Sequence, residues 1–318
     1  MGIREIPFAS MADGSDLKLY IYEIIGNKGD GPTVAISAGI HGDESTGTKI
    51  ILDIFRELKD GNFKGRLVLL PVANPLSFAA LKRVTPDLYL DPSNLNRVFP
   101  GNENGSLTEQ LAALITKSFL KDIDVHIDLH AGGHSQTVDY VYIINDQVLS
   151  RHFGSKILFR VNKDFVGNYF QGSVSNVLIE RNIPMVTVEL GGGMLDQRIY
   201  EERGKKGILN MLCYLNVINE KPAPPKEQII VESIVTVRPH FGGILETEAP
   251  PLGEEIGGGD VLGRVISPYT FKELEVIKNP VKKGIMILSH LTRDVIHVGD
   301  YGYMIGNLET GERLGRNG

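Results

Sequence analysis

His41 and Glu44 stand three residues apart in the stretch Ala35 to Ser45, "AISAGIHGDES". An apolar run from Pro32 to Ala38 leads straight into them. Imidazole nitrogen together with carboxylate oxygen suits zinc, and a catalytic zinc keeps three protein ligands and one open place for water. A His-x-x-Glu triplet alone is commonplace, because most such triplets are surface turns. Its position directly after a buried strand is what makes it half a metal site. A third ligand has to come from a neighbouring strand end. In "DVHIDLHAGGHS" the residues His126, Asp128 and His130 are spaced by two and share one face of a strand. Only His130 sits at the C-terminal end of that run, so His130 is the third ligand, with His134 in the following loop as the alternative. His126 lies deeper and reads as a core histidine. Asp128 either orients a ligand from behind or bonds backbone. Asp43, between the first two ligands, reads as a bystander.

A metal-held water also needs a proton acceptor. "IPMVTVELGGG" closes an apolar strand with Glu189 and three glycines. An acid there either binds the exposed amides of a helix start or acts as general base, its pKa raised by burial. The placement shared with His41 and His130 favours the base. "DPSNLNRVFPG" contributes Asn96 and Arg97. Arginine can grip a carboxylate through two parallel hydrogen bonds with an adjacent amide sharing the load, although pairing with a surface acid is its commoner fate. Upstream stands Arg83, a cation that would polarise a carbonyl if it reached the metal.

These residues need elements to carry them. Short β-branched runs occur at 33–40, 66–73, 125–129, 140–144 and 185–190, each meeting Gly, Asn, Pro or His at its end. Helical patterns separate them: Ile50, Ile51, Ile54, Phe55 and Leu58 share a face, as do Leu107, Leu111, Leu114, Ile115 and Phe119. A third surrounds Cys213. Alternation of this kind predicts an α/β sandwich on a largely parallel sheet, in which ligands gather beyond the carboxyl ends of the strands. Near residue 222 the polar, proline-rich "NEKPAPPKEQ" reads as a linker. Beyond it, short runs separated by glycines predict a small all-β unit. The expected division is 1–222, an α/β catalytic domain, and 223–318, a small all-β domain.

With 318 residues, 42% hydrophobic and a net charge of −6, the chain can bury a core and presents no basic footprint for nucleic acid or an anionic membrane. The single cysteine, Cys213, excludes an internal disulfide and fits a reducing, cytoplasmic setting. The N-terminal stretch has no apolar core of signal-peptide length, and no run reaches the length of a membrane span.

Taken together and in this order, "GIHGDE", "NPLSFAALKR" with "NLNRVFPG", "DLHAGG" and "VTVELGGG" resemble the succinylglutamate desuccinylase/aspartoacylase family of the zinc carboxypeptidase superfamily, over roughly residues 33–195. The residues after Glu189 are more similar to its N-acetyl-diaminobutyrate deacetylase-like branch. The resemblance implies a zinc-carboxypeptidase-like α/β/α sandwich with a mixed, largely parallel sheet. It implies one zinc per chain on His41, Glu44 and His130, with Glu189 as general base and Asn96 and Arg97 on the substrate carboxylate. Arg83, the sole arginine between Asn74 and Asn96, would polarise the scissile carbonyl. The mobile tyrosine of the superfamily maps to Tyr169 as a substrate contact. The C-terminal segment resembles the barrel-sandwich hybrid of biotinyl and lipoyl domains but lacks their carrier lysine setting. By resemblance it caps the cleft or assembles a homo-oligomer.

The expected function is therefore a zinc-dependent deacylase acting on a small N-acyl amino acid. A carboxypeptidase with the same machinery is the first alternative, and a non-catalytic binding protein on the same fold is the second. No Gly-x-Ser-x-Gly elbow supports nucleophilic catalysis.

Overall fold

The structure, a computed structural model, describes residues 2–86, 93–162, 170–192, 196–223, 227–290 and 293–315. In chain order the strands are β1 Gly2–Ser10, β2 Asp16–Ile25, β3 Thr33–Ala38, β4 Arg66–Leu70, β5 Val125–His130, β6 Gln136–Ile143, β7 Ile157–Arg160 and β8 Met185–Gly191. They continue as β9 Gln228–Val231, β10 Ile234–Val237, β11 Gly243–Thr247, β12 Glu255–Gly257 and β13 Val261–Ile266. The last five are β14 Glu273–Lys278, β15 Lys283–His290, β16 Asp294–Ile296, β17 Tyr303–Asn307 and β18 Glu312–Leu314. The helices are α1 Thr46–Leu58, α2 Pro75–Ala80, α3 Leu107–Ser118, α4 Gln147–His152, α5 Val174–Glu180 and α6 Arg198–Tyr214.

The main sheet runs β1-β2-β4-β3-β5-β8-β6-β15-β17-β10. Its centre is parallel, with β3 between β4 and β5 and β5 beside β8. These strands are apolar on both faces because both are covered. On one face Val34, Ile36, Leu67, Ile127 and Val188 meet Ile50 and Ile54 of α1 and Ile208 and Met211 of α6. On the other, Ala35, Val68 and Leu70 meet Leu111 and Ile115 of α3 and Val177 of α5. Alternate strand residues thus feed alternate layers, giving the α/β/α sandwich the sequence predicts.

Local chemistry fixes the helix starts. The Ser106 hydroxyl oxygen caps α3 by accepting from the Glu109 amide, and the Ser106 amide donates back to the Glu109 carboxylate, a capping box of the kind that contributes about 1 kcal/mol. Gly47 lets α1 lie against the sheet: a Cβ there would sit 2.8 Å from Leu129 Cβ and 2.9 Å from Ala38 Cβ. That contact seats the start of α1 beside the ends of β3 and β5.

The sheet does not stop at the proline-rich stretch. β15 pairs antiparallel with β6, Leu288 opposite Val138, and β9 pairs parallel with β7. A second, antiparallel sheet of order β14-β13-β11-β16 packs around Leu245, Leu262, Val265 and Tyr303. An N-terminal hairpin, β1 with β2, extends the other edge and precedes the first strand read from the sequence. Cys213 is free and buried. Among the described residues no helix is long and apolar enough to cross a membrane.

Candidate metal centre and active site

Three strand ends converge. β3 ends at Ala38, the chain turns through Gly39 and Ile40, and His41 and Glu44 follow before α1 begins. Gly42 makes the turn possible: a Cβ would lie 1.9 Å from the Ser77 carbonyl carbon of α2. Its amide instead donates to the Lys82 carbonyl at 2.9 Å. On β5, His130 is the last residue, and its register partner on β8 is Glu189.

His41, Glu44 and His130 are buried, with 3%, 3% and 5% of their surfaces exposed. One ligand atom from each lies within 4.8 Å of the others. His41 Nδ1 is 2.9 Å from Glu44 Oε1, and His130 Nδ1 is 3.0 Å from Glu44 Oε2. The far ring nitrogens are already committed as donors. His130 Nε2 donates to Asp128 Oδ2 at 3.0 Å. His41 Nε2 donates to Asn94 Oδ1 at 3.3 Å, an oxygen that also accepts from the Asn96 amide at 3.0 Å. Both Nδ1 lone pairs are therefore aimed at a carboxylate that also offers only lone pairs. Such an arrangement needs a cation between its members, either extra protons or a metal. The donor set of two imidazoles and one carboxylate, with both rings held from behind, fits a divalent ion such as zinc.

The electrostatics agree with that geometry. Burial pushes the Glu44 carboxyl up, but His41 and His130 overcome it and hold it well below the usual carboxylate range. Burial opposes protonation of His130, yet Asp128 and Glu44 hold it well above an ordinary imidazole. His41 is held below the ordinary value by burial. Asp43, Glu44, Asp128 and Glu189 crowd the site, and Arg83 donates to Glu44 Oε1 at 2.7 Å. Arg83 remains 53% exposed on the cavity side.

A cavity of about 400 Å³ opens over these groups, lined by the three ligand residues, Arg83, Asn96, Arg97 and Glu189 among others. Glu189 is partly exposed to it, and its carboxyl is pushed up to about 8. Burial is the main cause; Glu44 and Asp128 add to it while His130 and Arg83 oppose it. Arg97 donates to the Asn96 carbonyl at 2.7 Å and pairs with no carboxylate among the described residues. Asn96 Oδ1 accepts from the Val174 amide at 3.1 Å, which fixes the side chain at the start of α5.

Seven of the eight expected site residues thus border one cavity. Tyr169 lies outside the described residues. Asp43, read as a bystander, also lines the cavity, and its Oδ1 is buried with no hydrogen-bond partner among the described residues. His126 is a core histidine that donates to Ser37 Oγ at 2.9 Å. Asp128 stands behind His130, as one of its two readings required. Asn94, Tyr140, Tyr142 and Tyr301 were not read from the sequence as site residues. The paired tyrosines of "DYVYI" were the signal available, spaced by two as residues on one strand face are. From the loop between β16 and β17, Asp300 and Tyr301 reach the cavity. The guanidinium of Arg238 lies 4.3 Å above the Tyr301 ring, and His290 Nε2 donates to the Tyr301 carbonyl at 2.9 Å.

Residues 30–215 match the model of the succinylglutamate desuccinylase/aspartoacylase catalytic domain. The chain belongs to this family. It is 29% identical over 250 residues to the N-alpha-acetyl-L-2,4-diaminobutyric acid deacetylase of Halomonas elongata, covering 75% of this chain and 71% of that protein. A succinylglutamate desuccinylase from a Silicibacter species superposes with a TM-score of 0.79 at 25% identity, covering 96% of this chain and 95% of the other. The product-bound ectoine utilization protein EutE (DoeB) of Ruegeria pomeroyi shares the fold with a TM-score of 0.81 at 24% identity, covering 96% and 95%. Deacetylase, desuccinylase and aspartoacylase are the activities named among family and relatives, and each removes an acyl group through an amide bond.

Proposed function

We propose that this protein is a zinc-dependent deacylase that cleaves the amide bond of a small N-acyl amino acid. The observation that carries this reading is the pair of Nδ1 lone pairs of His41 and His130 facing the Glu44 carboxylate beside Glu189. A zinc ion held by His41, Glu44 and His130 would supply Lewis-acid polarisation and a more acidic water.

The remaining work falls to side chains. Arg83 stands where it can share the negative charge that develops on the carbonyl oxygen. Glu189, on a carboxylate oxygen, takes the proton of the attacking water. The new C–O bond forms, the C–N bond breaks, and Glu189 returns the proton to the departing nitrogen. The products are a carboxylic acid and a free amino acid. Arg97, with Asn96 beside it, holds the carboxylate of the amino acid and so sets which amide reaches Glu189. A cavity of about 400 Å³ suits a ligand of that size. One free, buried cysteine accords with a reducing cytoplasm.

The test is a panel of N-acyl amino acids and C-terminally varied peptides offered to zinc-loaded protein, with release of free amino acid as the readout. Turnover of the acylated amino acids with little on peptides is expected. Turnover of peptides alone would make the protein a carboxypeptidase. Turnover of neither, with zinc bound, would leave a binding protein.

A further inference from the structure

The cavity wall beside Glu189 is built by β6. This strand runs antiparallel to β8, with Tyr140 directly opposite Glu189 and Tyr142 opposite Thr187. Residues opposed in this way project from the same face. Tyr140, Tyr142, Thr187 and Glu189 all line the cavity. The two phenols meet at their tips, hydroxyl to hydroxyl at 3.0 Å. Their rings pack edge to face at 5.1 Å. Tyr142 also packs on Phe159 at 5.7 Å and on Phe170 at 5.4 Å. The two rings are thus packed into an aromatic wall.

Buried phenylalanines would fill the same wall without the cost of taking a hydroxyl out of water. A phenol hydroxyl can donate one hydrogen bond and accept others, and Tyr140 uses one of these on Tyr142. Burial pushes both phenols above their ordinary range, so both stay neutral and keep their protons. The charge of Glu189 acts on both phenols, and that of Arg97 acts on Tyr142. The hydroxyl pair therefore lines the same cavity as the proton carrier and the carboxylate grip. In an N-acyl amino acid, one carbon bears both the departing nitrogen and the carboxylate. Its remaining large substituent is the side chain, which points away from both and so meets another part of the cavity wall.

We infer that Tyr140 and Tyr142 are specificity-determining residues that bind the tip of the substrate's amino-acid side chain, so that the preferred substrates end in a hydrogen-bonding group and not in an alkyl group. The inference rests on the deacylase reading. A site built to hydrogen-bond a polar tip rejects an alkyl analogue because its own polar groups would then be left unpaired.

The experiment compares N-acetyl derivatives of norvaline, glutamine, ornithine and glutamate on zinc-loaded wild type, Tyr140→Phe and Tyr142→Phe. Melting temperature and zinc content are measured alongside. Wild type is expected to favour at least one polar-tipped substrate over the norvaline derivative by 10-fold or more in kcat/KM, on the order of one to two neutral hydrogen bonds. In folded, zinc-replete Tyr140→Phe that ratio should fall roughly tenfold, chiefly through KM. A wild-type ratio near one overturns the inference and leaves the deacylase reading standing. So does an unchanged ratio in both variants. If Tyr140→Phe does not fold, the ratio in Tyr142→Phe decides. Failure of wild type to cleave these four and every other N-acyl amino acid of the panel above would remove the deacylase reading and this inference with it.

Discussion

Asp128 stands directly behind His130: its Oδ2 lies 3.0 Å from Nε2, and its Oδ1 accepts the Ser37 hydroxyl at 2.6 Å. This relationship fixes the tautomer of His130 and turns its Nδ1 lone pair toward Glu44. Asp128→Asn leaves a neutral acceptor that no longer raises the basicity of the ring. Metal affinity should fall 10- to 100-fold, the usual cost of disturbing a group behind a ligating histidine. Competitive titration against a chelator of known affinity measures it. An unchanged dissociation constant would mean that Asp128 serves only the core.

Glu189 differs from the ligands in that its loss should spare the metal. Glu189→Gln keeps the size of the side chain and removes its capacity to take a proton. Turnover should drop by about 10²- to 10⁴-fold, the range usual for a positioned general base, while zinc content stays at the wild-type level. Near-normal turnover with full zinc would show that some other group carries the proton.

Much of this site was legible because ligands placed at strand ends obey a local rule. His41, Glu44, His130 and Glu189 each follow an apolar run, and parallel strands bring their carboxyl ends to one side. The groups that escaped notice are set by pairing between distant segments. Asn94 meets His41 across 53 residues of chain. Tyr140 enters the cavity because β6 lies antiparallel to β8 in one register, and a slip of one residue would turn it away. Periodicity reports which residues share a face of a strand but not which strand lies beside it. The continuation of the sheet from β6 into β15 escaped for the same reason. Strand β2 is different, since the alternation of Leu17, Leu19 and Ile21 with Lys18, Tyr20 and Tyr22 is visible in the sequence itself.

Arg97 tests the substrate's polarity. It has no carboxylate partner among the described residues and faces the cavity from the 3₁₀ turn Leu95–Arg97. Arg97→Ala should raise KM for an N-acyl amino acid roughly 10- to 100-fold, as expected for loss of a charge-assisted hydrogen bond. The corresponding amino-acid amide, which carries no carboxylate, should lose far less. Equal losses on both substrates would assign Arg97 to the shape of the cavity and not to charge recognition.

His126 gives the fold a pH dependence separate from catalysis. It is fully buried, and Ser37 Oγ, whose own proton goes to Asp128, accepts from its Nε2. Its Nδ1 has no partner among the described residues. Burial, with His130 adding and Asp128 opposing, pushes its pKa from 6.5 down to about 4. The unfolded chain therefore takes up a proton first as the pH falls below 6.5, while the folded protein resists until about 4. Stability is lost across that window and levels off beneath it. At roughly 1.4 kcal/mol per pKa unit the loss approaches about 2–3 kcal/mol near the acid end. Urea unfolding of chelator-treated wild type and His126→Gln, each at neutral pH and near the acid end of the window, isolates this contribution. Wild type should lose about 2–3 kcal/mol more than the variant between the two conditions. Equal losses in the two proteins would mean that the folded state admits the proton at His126 as readily as the unfolded chain does.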